Sequence, residues 1–416
     1  MSQSIIAPRP DYWSGAFEFI GLMPKPVPKT FGDLRITPGL ELRPVNRDRW
    51  QDLLATDHRT GHKASHPLAY VSFNDEDTEV VGRMNEALGR PRLTAACAQE
   101  LCLDKGKLYA HFDSSGLPTP SFTVVENLDE FDAAMTTRQS RDQIIKPTRG
   151  SGSRGVLRVG AGVGRAQEIA RRTARGMMAR SGEPLVVMDA VDSSNHNLSE
   201  WSVEGVVFED RVVFSQVFEK TTQVHTPPLQ DLRMVSPASG QHRSEMAEVV
   251  RNSAALAVSS LKLGTSVFHV ELRTRDDGAA YPIDVGLRPG GGLICEGVLM
   301  THGLDLRVIH ALVQIGDEQI VKDYLAQNLH ECDGGVALGA CYWDRRRTFN
   351  SSSPQLIVEQ LLAEQRDGSI EYNMLCELSS SDLIAPDAGL SLCVHGRSSD
   401  LALSRLERIA RTLNFR

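Results

Sequence analysis

The stretch Val267–Gly292, VFHVELRTRDDGAAYPIDVGLRPGGG, decides how this chain is read. Phe268, Val270 and Leu272 alternate with His269, Glu271 and Arg273, the two-residue period of a half-buried strand. Asp277-Gly278 is a favoured hairpin turn. Tyr281–Arg288 then alternates again, with Ile283, Val285 and Leu287 apolar against Asp284, Gly286 and Arg288. With Asp277-Gly278 as a two-residue loop, Glu271 stands directly opposite Asp284 and His269 opposite Gly286. Facing carboxylates repel and weaken a sheet. A divalent cation between them removes the conflict, and hard cations such as Mg²⁺ prefer carboxylate oxygens. Arg288 adds a fixed positive charge on the same face, and Gly290-Gly291-Gly292 offers backbone N–H groups to an anion. The combination points to chemistry on a metal-bound phosphate. The plain alternative is the wet face of a half-exposed hairpin followed by a glycine loop.

A second phosphate-type signal lies upstream, at Gln143–Val159, QIIKPTRGSGSRGVLRV. A short apolar strand delivers Lys146, Pro147 ends it, and a strand at Val156–Val159 leads away. Between them, Gly150, Ser151, Gly152 and Ser153 give a loop whose amides can approach phosphate oxygens, while Lys146, Arg149 and Arg154 bring charge. No Gly-Lys-Ser/Thr opens a helix here, which excludes a Walker A loop. Strand rather than helix follows the glycines, which excludes a dinucleotide fingerprint. A hairpin tip without a ligand is the alternative.

In order and spacing these segments resemble the ATP-grasp carboxylate–amine ligases, over roughly residues 93–306. Asp104-Lys105 opening a helix, then Gly116-Leu-Pro118-Thr-Pro120, is similar to that family's entry to its first nucleotide lobe. Lys146-Pro147 and the Gly/Ser loop resemble its phosphate-covering loop, and Leu185–Ala190 resembles its adenine-holding hinge strand. Ser199-Glu200-Trp201-Ser202-Val203 is similar to the strand whose glutamate meets the ribose, and the hairpin resembles the metal-binding strands. Two departures stand out. Where the family presents Glu and Asn two apart on the second metal strand, this chain has Asp284 and Gly286. Where it has adjacent hinge glutamates, this chain has Met188-Asp189, followed by an additional polar stretch at Asp192–Asn197.

The resemblance implies an α/β ATP-grasp fold. Its expected parts are an N-terminal α/β domain over 1–92, two nucleotide-clamping lobes over 93–330 and a small C-terminal α/β domain over 331–416. It implies ATP with Mg²⁺ or Mn²⁺ as cofactors. Lys105, Lys146, Ser151, Gly152, Ser153, Asp189 and Glu200 would bind the nucleotide, and Glu271 and Asp284 the metal. Arg288 would stabilise the transferring phosphoryl group, with Arg154 and His225 as further catalytic candidates. Arg288, Gly291 and Gly292 would hold the substrate carboxylate. The implied reaction activates a carboxylate as an acyl phosphate and joins it to an amine. Length, the terminal α/β domain and the Arg-Pro-Gly-Gly-Gly run look most like the bacterial L-amino-acid ligases, which make dipeptides and often serve peptide antibiotic or toxin pathways. Bicarbonate-dependent carboxylation, ligation of another carboxylate, and nucleotide binding without turnover remain the alternatives. Members of this family are often dimers, so a homodimer is one expected assembly.

Composition agrees. A chain of 416 residues is too long for one core and implies two or three domains. Hydrophobic content of 41% and charged content of 24% are those of globular proteins. A net charge of −8 argues against a general nucleic-acid or membrane binder. No apolar run approaches the roughly eighteen residues of a spanning helix, and the opening MSQSIIAPRPDYWSG lacks the pattern of a signal peptide. Seven scattered cysteines without a C-x-x-C pair fit reduced thiols and a cytoplasmic setting rather than a disulfide frame or zinc site.

Periodicity predicts a strand at Leu68–Phe73 and helices at Glu79–Leu88, Leu101–Phe112, Arg165–Ala179, Glu245–Leu261 and Gly303–Ile315. Trp201–Phe208 and Arg211–Phe218 read as antiparallel strands joined through Glu209-Asp210. A closing helix at Ser399–Leu413 carries Leu401, Leu403, Leu406, Ile409 and Leu413 as one apolar stripe.

Overall fold

In a computed structural model of the protein, the described residues are 4–5, 19–21, 40–42, 69–150, 152–153, 155–162, 164–191, 200–224, 230–238, 240–291, 293–342, 373–379 and 389–412. Short strands β1 (Ser4–Ile5), β2 (Phe19–Gly21) and β3 (Leu40–Leu42) precede helices α1 (Thr78–Ala87), α2 (Ala96–Leu103) and α3 (Lys105–Ser114). Next come β4 (Phe122–Val125), α4 (Leu128–Thr137), β5 (Gln143–Pro147), β6 (Leu157–Val159), α5 (Arg165–Ser181) and β7 (Leu185–Asp189). Strands β8 (Glu200–Phe208), β9 (Arg211–Val224) and β10 (Gln230–Ser236) lead to α6 (Gln241–Leu261) and the hairpin strands β11 (Ser266–Thr274) and β12 (Ala280–Gly286). The chain continues through α7 (Ile294–His302), α8 (Leu306–Ile315), α9 (Glu318–Asn328) and β13 (Gly335–Tyr342). It closes with β14 (Asn373–Ser379), β15 (Gly389–Gly396) and α10 (Ser399–Thr412).

These elements divide into two units: residues 94–231 with 242–288, and residues 1–93 with 232–241 and 289–416. The first unit holds two sheets, ordered β4-β7-β5-β6 and β12-β11-β8-β9. On the smaller sheet, Val125, Ile145, Leu185 and Val187 form a core with Phe131 and Met135 of α4 and with Ala170, Ala174 and Met177 of α5. The α5 residues recur at helical spacing, so one stripe is buried while Arg165, Arg172, Arg175 and Arg180 face solvent. On the larger sheet Gly205 is required by packing. A Cβ there would lie 2.3 Å from the Phe268 ring and 2.5 Å from the Phe214 carbonyl.

Two local features of this unit position the site. The expected helix over Leu101–Phe112 is broken at Asp104, whose extended backbone separates α2 from α3. The Asp104 carboxylate accepts from the N–H groups of Gly106 at 3.0 Å and Lys107 at 3.1 Å, so it caps α3 and makes Lys105 its first residue. The β8–β9 turn places Glu209 and Asp210 at φ of 49° and 63°, the conformation of a two-residue hairpin loop without glycine. Asp210 Oδ1 accepts from Gly264 N at 2.7 Å and its own N–H donates to Gly264 O at 2.8 Å, which holds the strained pair in place.

The second unit holds a sheet ordered β1-β14-β15-β13-β10 and the parallel pair β2-β3. Three expectations are corrected here. Among the described residues of Leu68–Phe73 there is a single β-bridge residue, Val71, rather than a strand, and the amide of Asn85 ties Tyr70, accepting from its N–H at 2.7 Å and donating to its carbonyl at 2.9 Å. Gly303 ends one helix, α7, in a left-handed conformation, and a separate helix, α8, starts at Leu306 under an Asp305 cap. On α10 the buried face is Ala402, Leu406, Ile409 and Ala410, while Leu401 is exposed, because the sheet selects a face that includes small residues. No helix among the described residues is long and apolar enough to cross a membrane.

Candidate active site

The hairpin reaches the expected register by a different route. Arg275 and Ala279 close a three-residue loop: Gly278 lies at φ +80°, its N–H donates to Arg275 O at 3.0 Å, and Arg275 N donates to Ala279 O at 3.1 Å. A third loop residue slips the register by one, which would turn every side chain of one strand to the wrong face. A bulge cancels the slip. Leu272 pairs with Pro282 and Glu271 with Asp284, leaving Ile283 as the additional residue. Ile283 therefore leaves the apolar row in which alternation placed it, and Ala280, Pro282, Val285 and Leu287 are the buried set. Its carbonyl accepts from Tyr109 Oη at 2.7 Å and from Lys146 Nζ at 3.2 Å.

Three polar rows cross this face of the sheet. Gln216, Glu204, His269 and Gly286 form the first; Phe218, Ser202, Glu271 and Asp284 the second; Lys220, Glu200 and Arg273 the third. Lys220 is 2% exposed and ties the last two rows together, with Nζ 2.7 Å from Glu200 Oε1 and 2.8 Å from Glu271 Oε1. Arg273 holds the other oxygen of Glu200 at 2.5 Å and donates to the Val191 carbonyl at 2.8 Å. Burial alone would raise the Glu200 and Glu271 carboxyls. The cations prevail: Lys220 and Arg273 hold Glu200 below its ordinary value, and Lys220 with His269 holds Glu271 well below it.

His269 lies between two carboxylates, with Nδ1 2.5 Å from the fully buried Glu204 and Nε2 3.7 Å from Glu271. Burial lowers its basicity, but the two carboxylates overcome that and push its pKa up to about 10. An imidazolium so held contributes stability that is complete below the ordinary histidine pKa and is lost as pH rises through about 10. The melting temperature should therefore fall between pH 7 and 10 in the wild type (~3 pH units, the span of this shift) and fall less in His269→Gln. Parallel alkaline limbs in the two proteins would refute the assignment.

Two further cations approach from the other sheet and its helices. Lys105 Nζ lies 3.1 Å from Asp284 Oδ2 and donates to Gly150 O at 2.8 Å. Lys146 is buried, with Nζ 5.0 Å from the centre of the Tyr109 ring. Burial pushes its pKa down, against the opposing pull of Asp284, Glu271 and Glu200. In the loop between β5 and β6, Gly150, Gly152, Ser153 and Gly155 all have positive φ. Ser151, Arg154, His225 and Gly292 lie outside the described residues.

Asp189, at the end of β7, is buried and ion-paired with Arg141 at 2.5 Å and Arg138 at 3.6 Å. Arg288 is half-buried two residues past β12, and Gly291 is exposed. Lys105, Lys146, Glu200, Glu271 and Asp284 are thus brought together from separate segments. Sequence reading missed Lys220, Glu204, Arg273 and the Ile283 carbonyl. The available signal was charge inside otherwise apolar strand segments, Glu204 within Val203–Phe208 and Glu219-Lys220 after Val217-Phe218.

Glu271 and Asp284 present hard oxygen donors from paired positions, each about 30% exposed, which suits one divalent cation with further ligands from outside the protein. The described residues hold no group of three or more His, Cys, Asp or Glu placed to enclose a metal unaided.

No family model and no curated protein matches this sequence. Solved structures do match. An L-amino acid ligase from Bacillus licheniformis aligns with a TM-score of 0.71 at 18% identity, over 91% of this chain and 89% of its own. An N5-carboxyaminoimidazole ribonucleotide synthetase from Thermus thermophilus aligns at 0.63 and 14%, over 95% and 91%. The biotin carboxylase domain dimer of a Hydrogenobacter thermophilus 2-oxoglutarate carboxylase, solved with MgADP, ADP and bicarbonate, aligns at 0.60 and 14%, over 91% and 81%. These neighbours are ATP-grasp enzymes, and the expected α/β ATP-grasp fold is the one this chain adopts.

Proposed function

We propose that this protein is an ATP- and Mg²⁺-dependent ligase that joins the carboxylate of an L-amino acid to the amine of a second one, releasing ADP and phosphate. The observation carrying this reading is the facing pair Glu271–Asp284 with two lysines, Lys105 and Lys146, delivered to its rim. The likeness in fold to an L-amino acid ligase favours amino acids over other acids, and the neighbour solved with MgADP supports the cofactors.

In the proposed reaction a carboxylate oxygen attacks the γ-phosphorus of ATP, the bond to the β-phosphate oxygen breaks, and ADP leaves. The amine nitrogen then attacks the acyl carbon, phosphate departs with the bonding pair, and the amine loses its proton to His225 or solvent. Lys105 and Lys146 would neutralise phosphate oxygens, helped by Ser151, Gly152 and Ser153 of the loop, while Asp189 and Glu200 would serve the nucleoside. Glu271 and Asp284 would hold a Mg²⁺ ion, which would supply Lewis-acid neutralisation of phosphate charge. Arg288 stabilises the transferring phosphoryl group, and its planar, permanently charged fork suits that geometry better than lysine. Gly291 and Gly292 offer N–H groups to the substrate carboxylate. Arg149 and Arg154 close with the loop and exclude water from the acyl phosphate.

Phosphate release with Mg·ATP, measured against free amino acids singly and in pairs, tests the reading. The expected result is release that requires amino acids and a product mass equal to their sum minus water. Release driven by bicarbonate instead would assign a carboxylation, and nucleotide binding without any release would assign a non-catalytic module.

A further inference from the structure

Within the site read above as a nucleotide site, every carboxylate already has a cation against it. Asp284 faces Lys105, Glu271 faces Lys220 and His269, Glu200 faces Lys220 and Arg273, and Glu204 faces His269. A divalent ion entering between Glu271 and Asp284 without an anion would meet the ammoniums of Lys105 and Lys220, both of which are buried and so weakly screened by water. These cations differ in what holds them. Lys220 is enclosed by two glutamates, whereas among the described residues Lys105 is held by Asp284 and the Gly150 carbonyl, and Lys146 makes its hydrogen bond to the bulged Ile283 carbonyl.

We propose that Lys105 is an internal counter-ion standing in for the metal on Asp284, so that the divalent cation gains its site only when a nucleotide draws Lys105 away. The Lys105 backbone is pinned, with its N–H donating to Thr148 O at 2.8 Å under the Asp104 cap. The exchange is therefore a side-chain rotation about a fixed Cα. It needs no movement of either sheet. Phosphate oxygens offer Lys105 and Lys146 partners of higher charge than one carboxylate and one carbonyl, and Asp284 is released to the ion that arrives with them. Metal and nucleotide then bind with positive linkage, each raising the other's affinity by the same factor.

The test is Mn²⁺ binding, read from the loss of the free-ion EPR signal, with and without a non-hydrolysable ATP analogue. Nucleotide-free wild type should show no saturable Mn²⁺ binding over the range that saturates the nucleotide-loaded protein. Lys105→Gln should bind one Mn²⁺ per chain without nucleotide, at least about tenfold tighter than wild type, the effect of removing one like charge from contact distance. Asp284→Asn in that background should abolish the gain, and Lys105→Arg, which keeps the charge, should remain without bound metal. Circular dichroism checks that each variant is folded. Wild type that binds Mn²⁺ as tightly as Lys105→Gln without nucleotide would overturn the exchange. A separate titration with a fluorescent ATP analogue keeps the two ideas apart: failure there removes the nucleotide reading, while free-state metal binding removes only the exchange.

Discussion

Replacing Lys220 by methionine should lower the melting temperature of the protein by roughly 10 °C, from about 3–5 kcal/mol lost when one partner of a buried ion pair is removed. Lys220 is the most enclosed cation of the site, and its loss leaves Glu200 and Glu271 with one cation fewer between them. A surface ion pair would give an effect several times smaller. The signature lies in coupling: adding Glu271→Gln to Lys220→Met should restore part of the loss, since the neutral amide no longer needs a counter-charge. Acid should separate the proteins too. A carboxyl held below its ordinary pKa contributes stability above that value and loses it as pH falls through the lowered one. The Glu271 contribution is therefore present at neutral pH in the wild type and vanishes in acid. In Lys220→Met this acid limb should be shallower. Additive melting shifts, or acid limbs of equal depth, would remove Lys220 from its proposed place as the clamp of the site.

Arg288→Ala should reduce turnover by about a hundred- to a thousandfold, the range seen when one electrostatic stabiliser of a transition state is deleted. Nucleotide affinity should change only a few-fold, because in the proposed site the phosphates would keep Lys105 and Lys146. The split is the test. An interaction made only in the transition state lowers kcat and kcat/KM together, whereas a ground-state contact raises KM alone. Arg288→Lys should recover little, since a point charge lacks the bidentate fork. Near-normal turnover in the alanine variant would sink the role assigned to Arg288, and a loss confined to KM would move it to substrate binding.

How far the site could be read from the chain depends on which interactions are local. The pairing of Glu271 with Asp284 was legible because strand alternation and a turn signal lie within one short segment. Even so, the loop length was misread, and the register holds only because the Ile283 bulge compensates for the third loop residue. Asp104-Lys105 was placed at a helix start only through the family resemblance, while periodicity ran one helix through them; the break comes from the Asp104 cap. The apolar stripe of α10 was right at Leu406 and Ile409 but included the exposed Leu401. Several leucines share a helix there, and the partner sheet, not the helix, chooses the face.

The amino-acid order alone carries the strand period, the glycine-rich loop and the unusual facing carboxylates, and with them the kind of chemistry to expect; the fold class followed from their resemblance to a known family. These signals act between near neighbours, where backbone geometry makes spacing informative. The neutralisation of the carboxylates belongs to tertiary structure. Lys220 reaches Glu271 from 51 positions away, Glu204 reaches His269 from 65, and Lys146 reaches the Ile283 carbonyl from 137. No local period reports such pairs, because a buried charge finds its partner through the folded sheet, and only there does the cost of leaving it unpaired decide which groups must meet.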